Sequence, residues 1–140
     1  MIDYSMLVKE ALEARKKAYT PYSKFKVGAA LLTKDGNIVR GCNIENAAYS
    51  PTNCAERTAI FKAVSEGVMD FKAIAIVGGN ESETDVLSDY AYPCGVCRQV
   101  MREFCESDFE VIVGKSVNEY KVFRLDEILP NGFGPENLSI

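Results

Sequence analysis

The sequence predicts an α/β fold, a layered domain in which helices alternate with strands, and three observations carry that prediction. Apolar residues recur every three to four positions over residues 5–19, which marks an amphipathic helix. A short apolar run, Ala73-Ile74-Ala75-Ile76-Val77, lies between two patterns that read as helix starts. Asp35-Gly36 sits between two apolar segments as a hairpin signal. Strands interleaved with helices in this way build layers around a shared core.

Each element has a local reason. Met6, Leu7, Ala11, Leu12, Ala14 and Ala18 line one side of the first helix, which Pro21 is expected to end. The Val-, Ala- and Leu-rich segment 26–32 and a second strand beginning at Ile38-Val39 form an antiparallel pair across Asp35-Gly36. Asn53 is placed to cap a helix over 54–66 that stops at Gly67, with Phe61 and Val64 expected to face inward. Residues 71–77 read as a buried strand, and 78–92, with Glu81, Glu83, Asp85 and Asp89, as an acidic exposed loop. A helix starts at Pro93-Cys94 and runs through Val100, Met101 and Phe104, followed by strands at 109–113 and 120–123. The Gly- and Pro-containing tail 130–140 reads as irregular.

Bulk properties narrow the function. The 140 residues fit one domain spanning 1–140, and with 47% apolar residues they can fill a core. A net charge of −4 disfavours a nucleic-acid polymer as partner, because such binding draws on basic patches that neutralise phosphates. A small neutral molecule such as a nucleoside suits this charge better. No apolar run approaches the roughly 20 residues that cross a bilayer, so no membrane insertion is expected. Five cysteines, an odd number, with no apolar leader point to a reducing compartment, the cytoplasm.

The chemistry concentrates in Cys54-Ala55-Glu56 and Pro93-Cys94-Gly95-Val96-Cys97, in a chain with no histidine. Three thiolates suit a Zn²⁺ ion that keeps one position open, as catalytic zinc does, whereas structural zinc takes four protein ligands. Taken alone, Cys94 and Cys97 would equally fit a redox pair or a structural metal site. Cysteine, glutamate and P-C-x-x-C in this order match the pattern by which zinc deaminases hold metal and general acid-base together. A Zn²⁺ ion with three thiolates carries a formal charge of about −1, which calls for a nearby cation. Arg57, three residues after Cys54, is the natural source. Cys42 and Cys105 have no place in the motif and read as small buried apolar residues.

These motifs, together with TPYSKFKVGAAL at 20–31, GCNIENAAYS at 41–50, NCAERTA at 53–59 and PCGVCRQ at 93–99, resemble the small homotetrameric cytidine deaminases over about residues 3 to 133. The resemblance implies a three-layer α/β/α fold with a mixed sheet of about five strands. It implies one Zn²⁺ per subunit on Cys54, Cys94 and Cys97, and hydrolysis of cytidine and 2′-deoxycytidine in pyrimidine salvage. Glu56 would carry a proton to N3 of the base and then assist the leaving amine. Phe25 would border the pyrimidine, the backbone around Ala55 and Pro93 would meet the base edges, and Asn43 and Glu45 would hold the ribose 3′-hydroxyl. Their alternate spacing at a strand end puts those last two on one side. Tyr49 and Phe133 would reach into a neighbour's site in a homotetramer, and Gln99 would hydrogen-bond a metal-bound sulfur.

Three alternatives stand beside this reading: a deaminase of another cytosine nucleoside such as blasticidin S, a zinc module without catalysis, and a polynucleotide editor, the last disfavoured by acidity. The 38 positions between Glu56 and Cys94 exceed what compact family members need, and the excess falls in the acidic loop 79–92.

Overall fold

The computed structural model describes residues 1–138. In chain order the elements are α1 (Tyr4–Arg15), β1 (Phe25–Thr33), β2 (Ile38–Cys42), α2 (Ala55–Ser65), β3 (Phe71–Asn80), α3 (Gly95–Phe104), β4 (Glu110–Ser116), β5 (Glu119–Arg124), the short α4 (Leu125–Ile128) and a 3₁₀ turn at Pro135–Leu138. The five strands form one sheet in the order β2-β1-β3-β4-β5. β3 and β4 run parallel, and the other neighbours are antiparallel, so the sheet is mixed.

Alternation along the strands builds the three layers. Ala30, Leu32, Ala73, Ala75, Val77 and Ile112 face α1, where they pack on Leu7, Val8, Ala11 and Leu12. Ala29, Leu31, Ile74, Ile76 and Val111 face the other way, onto Ala55, Ala59, Ile60 and Ala63 of α2 and Met101 of α3. The central strands are covered on both faces, which is why they read as continuous apolar runs. The expected α/β/α architecture with five strands is therefore present, as is the turn at Asp35-Gly36, where Gly36 takes φ 90°.

Several local expectations are corrected. α1 ends at Arg15, well before Pro21, because Tyr19 leaves to bridge Ile44. Asn53 does not cap α2. Its side chain donates to Thr58 Oγ1 at 3.1 Å, and Cys54, in extended conformation, is the residue at the cap. Phe61 points outward at 45% exposure, while Ala59, Ile60 and Ala63 form the buried stripe; the helix starts one residue later than expected, and its buried stripe is made of smaller side chains. β3 continues through Gly78 and Gly79 to Asn80. The following loop is acidic but organised, with Leu87 buried and the Glu83 carboxylate accepting from the backbone N–H groups of Asn80 and Ser88. The 3₁₀ turn replaces part of the expected irregular tail, whose last two residues lie outside the described ones, and the short α4 precedes that tail.

Gly41 positions the next region. A Cβ there would fall 2.5 Å from the Ala55 carbonyl oxygen and 2.5 Å from the Ala59 nitrogen, so only glycine lets the start of α2 lie directly on β2.

Candidate active site

Two helix starts meet at one point. Cys54 is the N-cap of α2 and Cys94 the N-cap of α3, with Cys97 in the first turn of α3. The three sulfur atoms lie within 4.8 Å of one another, with Cys54 Sγ and Cys94 Sγ 3.8 Å apart. Zinc–sulfur bonds of about 2.3 Å at tetrahedral angles call for sulfurs roughly 3.8 Å apart, so the donor set fits one zinc ion with a coordination position to spare. Both helices aim backbone N–H groups and positive dipole ends at this point, which favours anionic sulfur. The Cys94 sulfur accepts from the Cys97 N–H at 3.4 Å.

Arg57 supplies the compensating charge. Its Nη2 donates to Cys54 Sγ at 3.2 Å. Burial works against its charge, but the hydrogen bonds to the Cys54 and Cys97 sulfurs outweigh burial and hold the guanidinium more firmly protonated than usual. Cys54 is the anionic member of its pair: the Cys97 thiol donates to it and, against the effect of burial, Arg57 adds to the drop to about 5. Cys97 shifts the opposite way, through the same bond and through its burial.

Glu56 is 4% exposed. Burial raises its carboxyl to about 7, and the Cys54 thiolate beside it pushes in the same direction. Because Cys54 is extended rather than helical, the 100° per residue of a helix does not separate it from Glu56, and the carboxyl comes round to the Cys97 sulfur. A carboxyl poised near neutrality can both take and give a proton.

The substrate candidates form a rim held by bridges between distant segments. Ile44 pairs with Asn53 through two backbone hydrogen bonds of 3.0 Å, which ties 43–45 to the residue before Cys54. Asn43 Oδ1 accepts from Val27 N–H at 2.9 Å and its Nδ2 donates to the Phe25 carbonyl at 2.9 Å. The Glu45 carboxylate accepts from the N–H groups of Tyr22 and Ser23 and from the Ser23 hydroxyl. That hydroxyl bond, with the two backbone N–H bonds, holds its carboxyl below the ordinary range. Asn43 and Glu45 thus face one segment, 22–27, as their alternate spacing predicts, and each keeps lone pairs or an N–H for a ligand.

Phe25 is half-exposed rather than a core residue. Its ring edge lies beside Gly78, which the methyl of Ala91, two residues before Pro93, also approaches. Ala55 is fully buried as the first residue of α2. Tyr49 is exposed in a left-handed conformation (φ 64°), and its ring meets Tyr22 edge-on at 6.4 Å. Tyr22, Ser23, Glu45, Tyr49 and Thr52 enclose an open cavity of about 370 Å³. Tyr22, Ser23 and Thr52 were missed as lining residues, although Tyr22 and Ser23 lie within the motif at 20–31.

Phe133, in the C-terminal segment, is 57% exposed. Gln99 is a correction: its Nε2 donates to the Phe133 carbonyl at 2.8 Å and not to a cysteine sulfur, because the C-terminal segment folds back along α3. Cys105 is buried, which pushes its thiol up to about 12, in keeping with its reading as a buried apolar residue, whereas Cys42 is only partly buried, its thiol raised by that partial burial.

Residues 1–114 match the family model of the cytidine and deoxycytidylate deaminase zinc-binding region. A cytidine deaminase from Halalkalibacterium halodurans is 49% identical over 138 residues, covering 99% of each chain. The crystal structure of cytidine deaminase from Burkholderia pseudomallei superposes with a TM-score of 0.84 at 44% identity, covering 95% of this chain and 100% of that one. More distantly, a blasticidin-S deaminase from Bacillus cereus is 36% identical over 111 residues, 77% of this chain and 76% of that protein.

Proposed function

The chain belongs to the cytidine and deoxycytidylate deaminase family, and from that membership we propose that it is a zinc-dependent hydrolase converting cytidine and 2′-deoxycytidine to the uracil nucleosides with release of ammonia. The observation that carries this reading is the buried Glu56 beside three sulfur atoms within 4.8 Å of one another. Cys54, Cys94 and Cys97 hold one zinc per subunit, which when bound supplies the Lewis acidity that makes water a nucleophile near neutral pH.

The chain's own residues do the rest. Glu56 takes a proton from the attacking water and gives it to N3 of the cytosine ring as the water oxygen bonds to C4, then takes the remaining proton of that oxygen and gives it to the exocyclic nitrogen, so that the C4–N bond breaks and ammonia departs. Its buried carboxyl, raised to about 7, suits both directions of transfer. Arg57 offsets the excess negative charge of three thiolates. Phe25 stacks at the base, the backbone at Ala55 and Pro93 reads its edges, and Asn43 and Glu45 bind the 3′-hydroxyl, a group both nucleosides share. Tyr49 and Phe133 complete a neighbour's pocket in a homotetramer, for which their exposure as large aromatic side chains is the support. The chain acts as one domain over 1–140, in the cytoplasm and in pyrimidine salvage. Among the described residues no helix is long and apolar enough to cross a membrane.

The test is ultraviolet-monitored conversion of cytidine to uridine by zinc-loaded protein, with Glu56→Gln as control. Turnover lost in the variant while zinc content and stability persist supports catalysis, and joint loss of zinc and stability points to a structural metal. The similarity to a blasticidin-S deaminase favours one rival substrate, so blasticidin S is assayed in parallel. Faster turnover of that compound than of cytidine would reassign the pocket.

A further inference from the structure

The C-terminal segment is fastened along α3 by side chains from successive turns of that helix. Arg98 Nη1 donates to the Ile128 carbonyl at 2.7 Å, and its Nε donates to the Pro93 carbonyl at 2.8 Å. Gln99 Nε2 donates to the Phe133 carbonyl at 2.8 Å. Arg102 makes a two-pronged ion pair with the Glu136 carboxylate, a planar fork that specifies direction as well as attraction. The Arg102 guanidinium packs close over Gly134, 2.2 Å from where a Cβ there would stand, so a side chain at 134 would displace it from its present position.

Asn131 takes φ 56°, and Gly132 and Gly134 flank Phe133. The Gln99 bond engages the backbone of Phe133 itself and leaves the ring 57% exposed. Fastening the carbonyl of an aromatic residue between two glycines fixes the direction in which its ring leaves the surface. The same helix carries Cys97 in its first turn, so metal ligand and tail anchor share one rigid element.

We propose that Gln99 is a positioning residue that aims Phe133 into the nucleoside pocket of the neighbouring subunit, with Arg98 and Arg102 bracketing it on either side. This rests on the reading that Phe133 completes a neighbour's site. Gln99 then acts on substrate affinity through the tail and leaves the metal untouched.

The experiment compares Gln99→Leu, Gln99→Lys and Phe133→Ala in the full, zinc-loaded chain. Gln99→Leu is expected to raise the KM for cytidine about fivefold, the worth of one hydrogen bond, with kcat and the absorption spectrum of the cobalt-substituted enzyme unchanged. Gln99→Lys, which restores a donor of sufficient reach, should recover most of the KM. Assemblies mixed from Gln99→Leu and Glu56→Gln chains should contain sites of normal KM, since an intact Glu56 then receives an intact tail from its neighbour. If Gln99→Leu fails to fold, Gln99→Glu, which keeps the shape and loses the donor, gives the same reading. A lowered kcat or altered cobalt spectrum with unchanged KM would put Gln99 at the metal and overturn the proposal. Phe133→Ala with a raised KM beside an unchanged Gln99→Leu would overturn the proposal alone. An unchanged KM in Phe133→Ala would overturn it together with the reading of Phe133 on which it rests.

Discussion

The metal end of the site and the rim around Phe25, Asn43 and Glu45 are built on different principles. At the metal end every group lies within four residues of a helix start: Cys54, Glu56 and Arg57 at α2, Cys94 and Cys97 at α3. Cys97 and Glu56 are buried there; within each helix start the contacts span three residues, and the two helix starts, 40 residues apart in sequence, meet at the sulfurs. At the rim, Asn43 reaches back to Phe25 and Val27, Glu45 to Tyr22 and Ser23, and Ile44 across to Asn53, while Phe25 and Tyr49 stand exposed. The difference teaches that the metal end is set by two rigid helix starts, whereas the proposed substrate rim is assembled from loop segments stitched to one another by side-chain and bridge hydrogen bonds.

Substitutions can separate the two ends, beginning with the largest expected effect. Glu56→Gln should lower kcat about 10²–10⁴-fold, the usual worth of a positioned acid-base group, with zinc content by metal analysis and the thermal midpoint retained. A parallel loss of zinc would mean that Glu56 belongs to the metal's support. Arg57→Ala should cost about 10–100-fold in activity or zinc affinity, as removal of groups that support metal ligands does. A titration with a competing chelator separates the two contributions.

Glu45→Ala strikes the rim alone. It should raise KM roughly tenfold, since a charge-assisted bond is lost from the 22–23 segment as well as from the ligand, while zinc binding stays intact. Asn53→Ala, which sits between the two ends, should lower stability by only about 1 kcal/mol through loss of its bond to Thr58, and leave zinc content unchanged. Phe61→Ala should change the denaturation midpoint least of all, because the side chain faces solvent.

The same division explains what could be read from the chain. The ligand set was legible because C-A-E and P-C-x-x-C are short and because helix starts have local signals, so the three sulfurs and Arg57 fall together as expected. Asn43 and Glu45 were legible as a pair from their spacing. Gln99 was assigned to the wrong partner, since the Phe133 carbonyl it meets lies 34 residues away and nothing nearby in sequence announces it. Asn53 has a good capping side chain, yet the Ile44 bridge draws its backbone into a pairing that puts Cys54 at the cap instead.

What the amino-acid sequence by itself determined, then, is a layered α/β domain, the strand-helix order and the metal-binding chemistry, while the three-layer arrangement was implied by the family resemblance. These follow from periodic burial and from residues within one or two helical turns of each other, whose geometry the backbone dictates. The tertiary structure alone decided where α1 stops, which residue caps α2, which way Phe61 faces, how the acidic loop is tied down and what Gln99 holds. Each of those depends on a partner brought close only when the sheet and its two helical layers pack, and the free energy of that packing overrides weak local preferences.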